Sequence, residues 1–185
     1  MKDPGAGQKA AITCLDRRNN VYSIGNHLSA AEEMTQLATR NLGRFMDQKQ
    51  AKLLRIALRE IIINAIEHGN LGISFRDKSK AMIDDSYFEF VAERGRALEC
   101  RDRRVTVSFV VEEDRLVYRI TDEGDGFDHR KVVGDRSRNA NRQMLAHGRG
   151  ISMAKNIFDS VRYNKKGNHV KLVKKINIRP ASKKK

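Results

Sequence analysis

The stretch LLRIALREIIINAIEHGNLG, residues 53–72, carries the strongest helical periodicity in the chain. On a wheel of about 100° per residue with Glu60 at zero, Asn64 falls near 40° and His68 near 80°, so the three share one side. Leu54, Ala57, Leu58, Ile61, Ile62 and Ala65 cover roughly 60° to 200°, and Ile56 and Ile63 lie near 300° to 320°. Lys52, Arg55 and Arg59 mark a solvent stripe between them. Glu60 and Asn64 are therefore bracketed by apolar residues, a costly place for a carboxylate and an amide unless a ligand or metal satisfies them. One turn apart, they offer a carboxylate base and an amide oxygen suited to hard Mg²⁺. The same spacing also reads as two ordinary polar positions at a helix edge.

Working outward, the pattern predicts a helix over Gln48 to about His68. Before it, Leu28 to about Met46 has helical spacing, with Ser29 and Glu32 expected as a capping box. Ile12–Leu15 and Val21–Ile24 flank DRRNN and are expected to pair as a hairpin. Residues 1–19 read as a lead-in that can include the first of these strands, with 1–10 polar and glycine-containing. After the central helix, 73–104 is charged yet carries Met82, Phe88, Val91 and Leu98 at helical spacing, which predicts a helical insertion with a helix from about Asp77 to Glu99. VTVSFVV (105–111) and RLVYRIT (115–121) form a β-hairpin pattern. The polar, basic segment 129–147 reads as a functional loop or lid. A helix is expected from near Gly150, then strands over Val161–Asn164 and Val170–Ile178. Strands clustering after helices point to an α+β, two-layer α/β sandwich, its sheet mixed but mostly antiparallel with helices on one face.

A chain of 185 residues with 39% hydrophobic and 32% charged residues suits one water-soluble domain. It has no apolar run of bilayer length and no apolar signal segment, so a cytoplasmic location is the default expectation. Cys14 and Cys100 have neither metal-site spacing nor disulfide density and read as incidental thiols. The net charge of +14 is unevenly spread, because residues 165–185 hold nine Lys or Arg and no acid. Lys171 and Lys175 are expected to face outward as on an edge strand, followed by a basic tail, 179–185. No aromatic interleaving accompanies these charges, so nucleic acid is not the expected partner.

Two further segments carry chemistry. In TDEGDGFD, Asp122 ends the second hairpin strand, where a buried carboxylate can accept a hydrogen bond from an exocyclic amino group. Gly124 and Gly126 let the backbone approach a ligand or turn with positive φ. Taken alone, the stretch also suits a solvated turn. In HGRGISMAKN, Gly148 and Gly150 precede a helix whose free amides suit a phosphate, although a plain glycine turn fits too. No Walker loop is present.

Together and in this order, Glu60, Asn64, His68 and Gly69, then Asp122, Gly124 and Gly126, then Gly148 and Gly150, resemble the Bergerat ATP-binding family. INAIEHGN and GRGISMAKNIFDSVRYNKKGNHV look most like its anti-sigma-factor serine/threonine kinases. The resemblance spans about residues 20–178 and implies that Glu60 is the general base and that Asn64 ligates Mg²⁺. It implies that Asp122 reads the adenine amino group, Gly124 and Gly126 shape the adenine pocket, and Gly148, Arg149 and Gly150 hold the ATP phosphates. For His68, it implies either a ligand contact or packing at the helix end. The implied partners are a STAS-domain anti-anti-sigma protein and a sigma factor, with a homodimer common among compact members. The 73–104 segment departs from those compact members, and the lid lacks the longer glycine run of histidine kinases. A catalytically silent ATP-dependent switch and a histidine-kinase catalytic domain are the alternatives; the second has no phosphoacceptor helix here, since His27 precedes a helix start.

Overall fold

The computed structural model describes residues 13–16, 20–127 and 149–176, with the side chains of 13–15 and 149 left aside. Two short strands, β1 (Thr13–Asp16) and β2 (Val21–Ile24), pair antiparallel as expected. Helix α1 (Leu28–Thr39) is followed by a 3₁₀ turn at Leu42–Arg44. Helix α2 (Gln48–Asn64) then runs into a wider π turn over Ala65–Asn70. Next come α3 (Phe75–Ile83), α4 (Tyr87–Arg96) and the hairpin β3 (Val105–Val111) and β4 (Arg115–Asp122). Helix α5 (Arg149–Ile157) and strands β5 (Ser160–Tyr163) and β6 (His169–Lys175) complete the described chain.

The strands form one six-stranded sheet in the order β1-β2-β3-β4-β6-β5. Its five described pairings are all antiparallel, so the mixed sheet expected from sequence is corrected on that point. Period-two alternation sends Val105, Val107, Tyr118, Ile120, Val170 and Leu172 to the helical side, where they join one core with Leu54, Leu58, Ile62 and Ile66. Burying a side chain such as Leu54 or Ile62 fully contributes about 1.5–3 kcal/mol, and that is what fastens α2 across the sheet. The result is the α+β, two-layer arrangement, with helices on one face.

Several local expectations need correction. α1 begins at Leu28 with His27 as its cap residue and no side-chain capping bond. Ser29 is thus already inside the helix, and Glu32 is bound instead by Arg59 Nε at 2.7 Å and by Gln36. That Arg59, expected in a bare solvent stripe, ties α1 to α2. The amide of Gln36, and then Arg59, hold the Glu32 carboxyl below its usual range. α2 carries the true cap, with Asp47 accepting from Gln50 N–H at 2.8 Å.

The single helix expected over 77–99 is two. Asp85 takes φ +53, the left-handed region, and Ser86 N–H reaches back to Ala81 O at 2.9 Å, which ends α3. β6 is an interior strand between β4 and β5; Lys171 and Lys175 are exposed because alternation points them away from the helices, not because β6 is an edge. The lid, 129–147, Gly148 and the tail, 179–185, lie outside the described residues. Cys100 is buried in the core and Cys14's side chain is not described. Among the described residues, no helix is long and apolar enough to cross a membrane.

Candidate functional site

The three motifs converge between α2 and the end of β4. A Cβ placed on Gly150, in the first turn of α5, would lie 3.2 Å from both Asn64 Nδ2 and Glu60 Cβ. The start of α5 therefore sits flush against the Glu60–Asn64 face, bringing its first-turn amides and dipole to a carboxylate and an amide. The wheel overstated how deeply that face is buried: Ile56 is 39% exposed, and the Glu60 side chain is 40% exposed. A base must reach its substrate, so this access suits the role assigned to Glu60. Arg59 lies 3.7 Å from the Glu60 carboxylate.

Asp122 is 7% exposed at the end of β4. Gly124 N–H donates to its Oδ1 at 3.0 Å, and its own N–H donates to Asn168 O at 3.0 Å. Burial pushes the carboxyl up to about 6, against the opposing pull of the Gly124 bond and then of the Lys166 charge. Tyr163 is in turn pushed above its usual range, by burial first and by Asp122 second.

Two backbone segments meet beside this carboxylate with no room between them. A Cβ on Gly69 would come 2.4 Å from Asp122 Cγ, and one on Gly124 would come 2.1 Å from Gly69 O. Gly124→Ala is therefore expected to cost roughly 1–3 kcal/mol, because a methyl must displace main chain rather than a flexible side chain. A thermal melt checks this, and an unchanged midpoint would show that the seam can open. Gly126 takes φ +80 and packs against Lys166 O, which closes the rim with the turn before β6.

The cleft beside it, open to solvent, is lined by Asn64, Gly69, Asp122 and Asn168, with Phe127 and Tyr163 meeting edge to face at 5.4 Å. An aromatic-walled cleft ending in one carboxylate acceptor suits a purine with an exocyclic amine. His68 is not part of that lining. Its Nδ1 lies 2.6 Å from Ile73 O, and its ring centroid lies 4.2 Å from that of Phe75. Gly148 lies outside the described residues, and Arg149 is placed only by its backbone.

Sequence reasoning missed the support behind Asp122. Fully buried Asn70 accepts from Glu123 N–H at 2.8 Å and donates to Asn26 Oδ1 at 2.8 Å, while Asn26 donates to Cys100 O at 2.8 Å. This relay pins the Asp122–Gly124 turn to the π turn that follows α2. It also missed Glu67, 0% exposed, whose carboxylate binds Lys78 at 2.6 Å and accepts from the Tyr87 hydroxyl. Burial, then the bond to Glu67, holds the Tyr87 phenol above its usual range. The only sequence hint was polar residues interrupting an otherwise apolar helix end.

Among the described residues, no group of His, Cys, Asp and Glu forms a ready-made metal cage. Asn64 and the neighbouring Glu60 instead fit Mg²⁺ held partly by nucleotide phosphates, since Mg²⁺ keeps few protein ligands.

A sheet backed by helices, an aspartate at a strand end above an aromatic slot, and a polar helix face against a helix N-terminus define an ATP-binding α+β domain. Residues 26–174 match the histidine kinase-like ATPase domain, and the chain belongs to that family. No curated protein matches the chain.

Proposed function

We propose that this domain is a protein serine/threonine kinase of the anti-sigma-factor type, phosphorylating a STAS-domain antagonist and sequestering a regulatory partner such as a sigma factor. The observation that carries it is the apposition of Gly150 to Glu60 and Asn64, which puts an accessible carboxylate, a Mg²⁺-type amide ligand and an anion-binding helix end at one point. Asp122 accepts the adenine amino proton, and the Gly69–Gly124 seam sets the depth of the slot. Asn64 would help hold Mg²⁺, which when bound would supply charge neutralisation for phosphoryl transfer. Gly150, with Gly148 and Arg149, receives the phosphates. Glu60 takes the proton from a serine or threonine hydroxyl as that oxygen bonds to the γ-phosphorus and the bond to the ADP oxygen breaks.

The test is transfer of γ-labelled phosphate from Mg-ATP to a STAS-domain protein encoded nearby. Label stable as a phosphoserine or phosphothreonine supports the kinase. An ATP-dependent complex without label would instead establish a silent partner switch, and absence of both would sink the anti-sigma reading.

The raised Asp122 carboxyl adds a pH signature. Below about 6 it is protonated in the folded protein. A neutral acceptor bonds the adenine amine more weakly than a charged one by about 1 kcal/mol, so ATP affinity should fall roughly fivefold as pH drops from 7 to 5. Titration calorimetry checks this against Asp122→Asn, which keeps any change due to the nucleotide's own phosphates and loses the rest. The folding contribution has the same origin: the raised value disfavours the ionised form, so this group favours the apo fold below its unfolded value near 4 and the benefit is lost as pH rises through about 6.

A further inference from the structure

The helical pair α3 and α4 holds large apolar side chains outside the core. Tyr87, Phe90 and Val91 of α4 pack inward, whereas Met82, Ile83 and Phe88, at the turn between the two helices, are 61%, 83% and 76% exposed. One exposed hydrophobe is ordinary, but three at one turn have the composition of a contact surface. Among them stand Asp84, Asp85 and Glu89, all exposed and without an ion-pair partner among the described residues. The turn is therefore apolar and acidic in a chain whose net charge is +14.

Its distance from Glu60 follows from Tyr87. The Tyr87 hydroxyl bonds to Glu67, about two helical turns or roughly 10 Å beyond Glu60, and the Phe88 ring meets the Tyr87 ring edge-on at 5.1 Å. After burial and the Glu67 carboxylate, the Glu60 charge also helps hold the Tyr87 phenol above its usual range. On the other side of Glu60, Leu53 and Ile56 lie one to two turns earlier on the same face of α2, both exposed. A protein whose hydroxyl comes within reach of Glu60 must cover the surroundings of that carboxylate. A standard interface of roughly 800 Å² per partner, centred there, extends about 16 Å in each direction and so takes in both Leu53 and the α3–α4 turn.

Resting on the kinase reading above, we propose that the α3–α4 turn is a docking arm for the phosphorylated protein. It receives an apolar segment, with lysine or arginine beside it, of the protein that presents its hydroxyl to Glu60. A nucleic acid or an anionic membrane surface is repelled by the three carboxylates.

The experiment is steady-state transfer of labelled phosphate from Mg-ATP to the STAS-domain protein encoded nearby, by the full chain and its variants, with ATP affinity measured separately. Ile83→Ser with Phe88→Ser should raise KM for the protein substrate at least about tenfold, with kcat and ATP affinity each within about twofold, because the arm binds substrate and transition state alike. Asp84→Lys with Glu89→Lys should raise KM severalfold at low salt and less at high salt. That pair lies outside the core, so it tests the arm even if the loss of Phe88 loosens Tyr87. Leu98→Ser, at an equally exposed position past the other end of α4, should leave KM unchanged. Transfer by the wild-type chain with KM unmoved in both double variants, an equal rise in Leu98→Ser, or a change confined to self-association of the chain would overturn the docking arm and leave the kinase reading standing. Absence of transfer by the wild-type chain would remove that reading and this proposal with it.

Discussion

Glu60→Gln should lower phosphoryl transfer by about 10²- to 10⁴-fold while ATP affinity stays within about twofold. Glutamine keeps the shape of the side chain, so the fit of α5 against this face, including the 3.2 Å approach at Gly150, survives. What it removes is the ability to take a proton. The loss should therefore appear in kcat, with little change in the dissociation constant of ATP measured separately. Single-turnover transfer to the protein substrate is the direct reading, because product release cannot mask the chemical step. A variant that retained full single-turnover rates would show that the hydroxyl loses its proton elsewhere and that Glu60 only helps shape the site.

Lys78→Met should destabilise the fold by roughly 3 kcal/mol, at the lower end of what breaking a buried ion pair costs. The low end applies because the Lys78 side chain is 25% exposed while Glu67 is 0% exposed. Removing the ammonium leaves a carboxylate in the core with the Tyr87 hydroxyl as its one remaining side-chain partner among the described residues. Glu67→Gln should cost less, since the amide oxygen still accepts from Tyr87. Urea unfolding should show a lower midpoint for Lys78→Met at an unchanged slope, and Glu67→Leu combined with Lys78→Met should be less damaging than the lysine change alone. A cost below about 1 kcal/mol would mean that water reaches Glu67 when Lys78 is gone. Because Lys78 comes from α3 and Tyr87 from α4, this one carboxylate fastens both helices of the 75–96 segment to the turn that carries Gly69.

What the chain disclosed in advance follows from range. The α2 face, the β3–β4 hairpin and the glycines around Asp122 and Gly150 were legible because each rests on neighbours within a turn or on a strand's alternation. The Asn26–Asn70–Glu123 relay was not, because its members are 44 and 53 residues apart and a lone asparagine has no periodic signature. The break between α3 and α4 was hidden because Asp85 adopts its left-handed conformation inside a segment whose apolar spacing continues across it. Ser29 and Glu32 had the spacing of a cap, yet the helix began two residues earlier than that cap requires and Arg59 claimed the glutamate. Exposure was misjudged for a related reason: a wheel records direction, and only packing shows whether Ile56 meets a neighbour or solvent.

The backbone contact between Gly69 and Gly124 also bears on inhibition. A compound that occupied the slot by bonding to Asp122 and packing on that seam would rest on main-chain atoms, which substitution cannot remove. Resistance could not arise by adding bulk at either glycine, since a single methyl there already collides with Gly69 O or Asp122 Cγ. Escape would have to come from the aromatic wall, at Phe127 or Tyr163, where a side chain can change without closing the cleft to ATP itself.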